Sequence, residues 1–234
     1  MTAYELLASG LGQLGLSVDP QAVEKMLQYS DLLLEKNKVM NLTAVTDPKE
    51  VVTRHFLDCA ALAPYIREGQ TVLDVGTGAG FPGIPLAVLC PGAQFTLLDA
   101  QRKRIDFLAE VVSALGLANV TPVHARAEEF AAQHRASFDL AVSRAVADLR
   151  VLCELTLPMV KTGGLFYAMK AADCGDEVGT ASRAFAILGA PAAELLRYTV
   201  PHDGVERVLV RLQKTADTPD KYPRRFKKIQ SDPL

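Results

Sequence analysis

Residues Thr71 to Gly83 read TVLDVGTGAGFPG, and the fold of the whole chain turns on them. Thr71, Val72 and Leu73 form an apolar run of the kind that reads as a buried strand. Asp74 follows, and Gly76, Gly78, Gly80 and Gly83 punctuate a turn that leads into a predicted helix over Ile84–Leu89. A strand passing through glycines into a helix lets backbone approach a ligand closely and aims free N–H groups at it. The pattern therefore predicts a nucleotide-like cofactor rather than a plain loop.

Two cofactor classes fit the spacing. Gly78-Ala79-Gly80-Phe81-Pro82-Gly83 matches the dinucleotide pattern G-x-G-x-x-G, with Asp99 at about the distance of a ribose-binding acid. Asp74-x-Gly76-x-Gly78-x-Gly80 equally matches the acid and alternating glycines of methyltransferases that use S-adenosyl-L-methionine (AdoMet). AdoMet has no pyrophosphate but carries an ammonium and a sulfonium, which suit a carboxylate at the strand end. Asp74 tilts the choice towards AdoMet.

Composition bounds the rest. The 234 residues, 49% hydrophobic, suffice for one sizeable core and at most a small accessory piece. No apolar run is long enough to span a bilayer, and the start MTAYELLASG lacks the basic region of a signal peptide. Cys59, Cys90, Cys153 and Cys174 are scattered without a C-x-x-C pair, which argues against structural zinc and for a reducing, cytoplasmic setting. No metal and no membrane are expected. A net charge of −2 confines any RNA contact to local patches.

Residues 1–69 read as a helical cap, 70–214 as the core and 215–234 as a basic tail, one structural domain overall. Asp19-Pro20 and Asp47-Pro48 each pair an N-cap with proline at the first helical position. The helix after Asp47 presents Val51, Val52, His55, Phe56, Cys59 and Leu62 as a packing stripe. The cap either borders the ligand crevice or covers a sheet edge. Strands are expected over 71–75, 94–99, 120–124, 138–143, 164–169, 193–199 and 206–213, with helices over 83–90, 102–115, 127–134, 147–160 and 174–188. That alternation predicts a Rossmann-like α/β fold with a mainly parallel sheet. Residues 200–205 are too few for a helical crossover, so the last two strands should be antiparallel, as in AdoMet methyltransferases and unlike nicotinamide-binding folds.

Ligands of open α/β sheets sit at the carboxyl ends of the strands. There Asp99 can accept from ribose hydroxyls or cap the helix beginning near Arg102. Ala127 and Glu128 can meet an adenine ring and its amino group, or simply complement a helix dipole. Arg144 can clamp a carboxylate or phosphate, or be an ordinary loop arginine.

The segments DVGTGAGFPGIPLA (74–87), LLDAQRKRIDFL (97–108), ARAEEF (125–130), FDLAVSRA (138–145) and FYAMK (166–170) resemble the bacterial 16S rRNA guanine-N7 methyltransferases, the glucose-inhibited division protein B family. NLTAVTDPKE (41–50) and RHFLDC (54–59) are similar to its N-terminal signature, and KYPRR (221–225) to its tail in some members. Lys36 stands where a tryptophan commonly precedes the signature asparagine, and Ala171 where a glycine often follows Lys170. The resemblance implies AdoMet contacts at Gly76, Phe81, Ala127, Glu128 and Arg144, with Asp74, Gly78 and Asp99 completing the site from the strand-end reading. It implies guanine N7 of 16S rRNA, free or in the small ribosomal subunit, as acceptor. N7 carries no proton in the neutral base, so no catalytic acid, base or nucleophile is expected. Arg54, His55 and Lys170 are candidates for holding the base. Lys221, Arg224, Arg225, Lys227 and Lys228, interleaved with Tyr222 and Phe226, are candidates for phosphates. Rival readings are a small-molecule methyltransferase, a nicotinamide-dependent oxidoreductase and a nucleotide sensor without turnover.

Overall fold

Three capping devices start the chain's helices. In the computed structural model, which describes residues 1–144 and 146–234, α1 (Ala3–Gln13) begins with a capping box between Thr2 and Glu5. Asp19 caps α2 (Pro20–Met40), and Asp47 caps α3 (Pro48–Val51), accepting from Lys49 N at 2.9 Å and Glu50 N at 3.1 Å. The third helix is not the regular one expected. Its backbone widens into a π-helical segment, Val52–Leu57, before α4 (Asp58–Ala60). That widening changes which side chains share a face: Phe56 and Leu57 go into the core, while Arg54 and His55 turn towards a cleft. His55 lines that cleft while its ring still packs 4.6 Å from the Phe81 ring centre.

The alternation after residue 70 becomes one sheet built from β1 (Thr71–Val75), β2 (Gln94–Asp99), β3 (Val120–His124), β4 (Phe138–Arg144), β5 (Val160–Ala171), β6 (Ala193–Thr199) and β7 (Glu206–Gln213). Its order is β3-β2-β1-β4-β5-β7-β6. The first five strands are parallel, and β7 runs antiparallel to both β5 and β6. Between strands lie α5 (Gly83–Leu89), α6 (Arg102–Leu115), α7 (Ala127–Gln133), α8 (Leu149–Thr156) and α9 (Gly175–Ile187). The helix expected to reach residue 160 stops at Thr156, because Pro158 lacks the donor needed to continue it and a 3₁₀ turn follows. The strand reversal at β1 and β4 opens the crevice in which such sheets hold ligands.

The cap borders that crevice. Tyr29 of α2 is fully buried, its hydroxyl donates to Ala79 O of the glycine turn at 2.6 Å, and its ring lies 5.6 Å from Phe56 and 5.5 Å from Phe81. The C-terminal segment is packed as well. Tyr222 is buried, and Arg224 donates from Nε and from its backbone N to Glu154 Oε1, each at 2.8 Å. Ile229 of α10 (Phe226–Ser231) then packs against Val151 and Leu155 of α8. Among the described residues no helix is long and apolar enough to cross a membrane.

Glu154 has no exposed surface, so its charge depends on Arg224. Arg224→Ala should cost about 3 kcal/mol in urea unfolding, because an uncompensated carboxylate stays buried. The double replacement Glu154→Leu with Arg224→Met should recover most of that loss. A single variant as stable as the parent would contradict the role given to this pair.

Candidate active site

The glycine turn is held by a carboxylate beneath it. Asp74 is wholly buried at the end of β1, and its Oδ2 accepts from Thr77 Oγ1 at 2.7 Å and Gly83 N at 2.9 Å. Its Oδ1 is buried with no hydrogen-bond partner among the described residues. Burial pushes the carboxyl up to about 7 against the opposing pull of the Thr77 and Gly83 hydrogen bonds. Gly83 allows this approach: a Cβ there would stand 2.8 Å from Asp74 Oδ2. Gly78 differs. With φ +62° it occupies the left-handed region, and a Cβ on it would find nothing closer than Gly76 O at 4.0 Å. Gly83 thus serves packing, while Gly78 presents bare backbone to open space.

Beside that turn lies a cleft of about 450 Å³ lined by Gly76, Asp99, Ala127, Glu128, Val146 and Phe226. Asp99 does not cap α6, whose N-cap is Gln101. Its Oδ2 accepts from Gly78 N at 2.9 Å and Arg104 Nη1 at 3.2 Å, and its Oδ1 from Gln101 N at 2.8 Å. Asp99 therefore fixes the direction of the Gly78 N–H as well as forming cleft wall. Glu128 accepts from Arg126 Nε at 2.7 Å, and the Arg126 guanidinium lies 4.8 Å from the centre of the Phe226 ring. Phe226 was legible only as part of a basic run, and its place in this wall comes from the packing of α10. A nucleoside with a cationic tail fits these residues. They offer apolar faces for a base, carboxylates for hydroxyls and a buried acceptor, Asp74 Oδ1, for positive charge.

A second cleft, of about 610 Å³, opens on the other side of the chain following β4. Arg144, Arg54, His55, Lys170, Asp58 and Tyr198 are among its lining residues. Arg144 forms its floor: its guanidinium lies 4.7 Å from the Phe81 ring centre, and Nη1 donates to Asp58 Oδ2 at 3.2 Å. Asp58 Oδ1 accepts from the Tyr198 hydroxyl at 2.7 Å. Arg144 Nη2 lies 3.3 Å from His55 Nδ1. The same Nδ1 lies 3.1 Å from Arg54 O, which only accepts, while Nε2 lies 2.9 Å from Thr43 Oγ1, so the place of the imidazole proton depends on which Nδ1 contact is made. Burial, and then the Arg144 charge, hold His55 down at about 4. Asp58 and Tyr198 were not singled out by sequence, since they lie far apart in the chain and carry no motif signal of their own beyond the RHFLDC segment.

The other candidates are dispersed. Lys170 donates to Ala147 O at 2.8 Å and Glu177 Oε1 at 2.7 Å, which pins the chain after β4 while its stem lines the second cleft. Arg224 is committed to Glu154 and Lys228 to Asp232. Lys221, Arg225 and Lys227 are exposed, the last two beside a small cleft that they share with Arg126 and Phe226. Ala145 of the SRA motif lies outside the described residues. Among the described residues no group of three or more His, Cys, Asp or Glu side chains could hold a metal ion.

A family model described as rRNA small subunit methyltransferase G matches residues 22–202. The chain is 44% identical over 229 residues to the Ribosomal RNA small subunit methyltransferase G of Alkaliphilus metalliredigens, covering 96% of each. It is 41% identical over 233 residues to the protein so named from Acetivibrio thermocellus, covering 98% of this chain and 96% of the other. In fold it is similar to a crystal structure of M. jannaschii TYW2 in complex with AdoMet, with TM-score 0.54 and 18% identity, over 66% of this chain and 73% of that one. A SAM dependent methyltransferase from Aquifex aeolicus matches with TM-score 0.52 and 19% identity, over 76% of this chain and 98% of that one.

His55 generates a pH prediction. Its folded value of about 4 lies below the ordinary 6.5, so the unfolded chain takes up the proton first. The stability this provides is fully present above pH 6.5 and is lost as pH falls towards 4. His55→Gln, neutral throughout, should show a shallower decline over that window in urea unfolding. Parallel curves for the two proteins would contradict the burial of a neutral imidazole against Arg144.

Proposed function

The chain belongs to the rRNA small subunit methyltransferase G family, and from that premise we propose that it transfers a methyl group from AdoMet to N7 of a guanine in 16S ribosomal RNA. The observation that carries this reading is a pair of clefts, the first lined by Gly76 and Asp99 and the second by Arg144. One has the lining of a nucleoside site, and the other has basic and aromatic walls. AdoMet, when bound, supplies an electrophilic methyl group on a sulfonium.

The chain's own residues then do four things. Gly78 presents bare backbone to open space, and Gly76 lines the first cleft with Asp99, Ala127 and Glu128 for ribose and base. Asp74, buried beneath the turn, supplies negative charge there in its ionised form, which favours a cation over a pyrophosphate. Arg144, clamped by Asp58, keeps one position in the second cleft, with its guanidinium over the Phe81 ring. The residues of the second cleft would hold the base, so that alignment supplies most of the rate.

No side chain has to remove a proton. The N7 lone pair attacks directly, and His55, held at about 4 by burial, has its Nδ1 engaged by Arg144. A covalent thiol route is also disfavoured. Cys59 is buried and pushed up to about 12, and burial likewise raises Cys153 far above the thiolate range. Exposed Lys221, Arg225 and Lys227 are placed to meet phosphates near the first cleft. Work on ribosomal RNA places the protein in the cytoplasm.

Methyl transfer from labelled AdoMet to undermethylated small subunits, followed by mapping of the product, should yield 7-methylguanine in 16S rRNA. Label on another atom, or none, would count against the reading. Phe226→Ala should weaken AdoMet binding about tenfold in calorimetry, the loss expected for one aromatic contact. An unchanged affinity would remove Phe226 from the cofactor wall. Gly78→Val should abolish AdoMet binding while the chain still folds, since its side chain would enter the space facing the cofactor. Retained affinity would refute the placement of that space.

A further inference from the structure

The second cleft has a wall that neither the glycine turn nor Arg144 explains. It is made by the β6–β7 hairpin, whose loop is closed by Val200 N donating to Val205 O at 2.9 Å and Gly204 N donating to Val200 O at 3.0 Å. Asp203 of that loop and Arg207 of β7 both line the cleft. Two carboxylates face this space, and they differ. Both oxygens of Asp58 are taken, by Tyr198 at 2.7 Å and by Arg144 at 3.2 Å. Asp203 makes no hydrogen bond or ion pair among the described residues and is half-buried. Nearby, Arg207 Nε is buried without a hydrogen-bond partner among the described residues, 4.0 Å from Asp58 Oδ1. One short hairpin thus places an uncommitted carboxylate and a part-exposed guanidinium on the same cleft.

We infer that Asp203 reads the Watson–Crick edge of the acceptor base and selects guanine, with the part-exposed Arg207 guanidinium as the matching donor. This rests on the methyl-transfer function proposed above. Guanine presents O6 as an acceptor beside N1–H and N2–H₂ as donors, an order complementary to an N–H beside a carboxylate. N7 lies on the opposite edge and stays free for the methyl group. Adenine reverses the pattern, so its N1 lone pair would face the Asp203 carboxylate.

The same contact contributes to rate. As N7 takes the methyl carbon its lone pair becomes the new C–N bond, the S–CH₃ bond of the sulfonium breaks with its electron pair going to sulfur, and the positive charge passes to the ring. N1–H and N2–H₂ become stronger donors, so their hydrogen bonds to Asp203 tighten in the transition state relative to the ground state. No bond to Asp203 forms or breaks, and no proton need leave the base.

The test compares the full-length protein with Asp203→Ala and Asp203→Asn, using labelled AdoMet and small subunits carrying guanine or inosine at the mapped target. Inosine keeps N7, O6 and N1–H but lacks the N2 amino group. Asp203→Ala should lower kcat/KM for guanine about 10- to 100-fold, mostly in kcat, with AdoMet affinity unchanged. Wild type should discriminate against inosine, and both variants should lose most of that discrimination. Wild-type kcat in the variants, or an inosine penalty equal in all three proteins, overturns the inference while leaving 7-methylguanine formation intact. A wild-type product other than 7-methylguanine overturns the proposed function, and the inference falls with it.

Discussion

A carboxylate cut off from water underlies this structure. Asp74 sits beneath the glycine turn with one oxygen holding Thr77 and Gly83 in place and the other left without a partner among the described residues. An ionised group in such a place is costly unless positive charge arrives to meet it. Asp99 at the end of β2 adds to the tension, since its charge also pushes the Asp74 carboxyl up. Asp99 in turn orients Gly78 N. Two neighbouring strand ends therefore shape one turn and give the crevice a negative field suited to a cationic donor.

The surrounding elements fix that turn from three directions. From the cap, the Tyr29 hydroxyl ties α2 to Ala79, and Phe56 and Phe81 fill the space between. From β4, Arg144 bridges to the π-helical segment through Asp58 and His55. From the C-terminus, the Glu154–Arg224 pair carries α10 to the cleft, where Phe226 closes one side. These contacts join residues distant in sequence, Tyr198 and Asp58 being 140 positions apart. The helices before β1 and the segment after β7 are thereby parts of the site as well as coverings of the sheet.

The core elements were readable because their signals are local. Apolar runs bounded by glycine and proline marked the strands, Asp-Pro pairs marked two helix starts, and the short 200–205 connection required an antiparallel return. What stayed hidden depends on long-range packing. Nothing in the 206–213 run says that β7 inserts between β5 and β6, since strand order is a tertiary property. The π-helical widening at Val52–Leu57 leaves no mark in the apolar pattern, and His55, read both as part of the packing stripe and as a candidate for holding the base, packs on Phe81 while lining the second cleft. The basic composition of 221–228 concealed two internal roles: Arg224 neutralises a buried glutamate, and Phe226 lines the first cleft. Asp74, Asp99 and Arg144 were legible because they stand at strand ends, whereas Asp203 and Arg207 acquire meaning only once the hairpin is seen against the cleft.

The central claim is that Asp74 is a strained, buried carboxylate awaiting a cation, and its own titration tests that most directly. Carbon NMR of the labelled aspartate side chain, followed over pH with and without saturating AdoMet, would measure it. The protein alone should titrate near 7, and AdoMet should move the midpoint downward by favouring the charged form. A midpoint in the ordinary carboxylate range that AdoMet leaves unmoved would contradict the account.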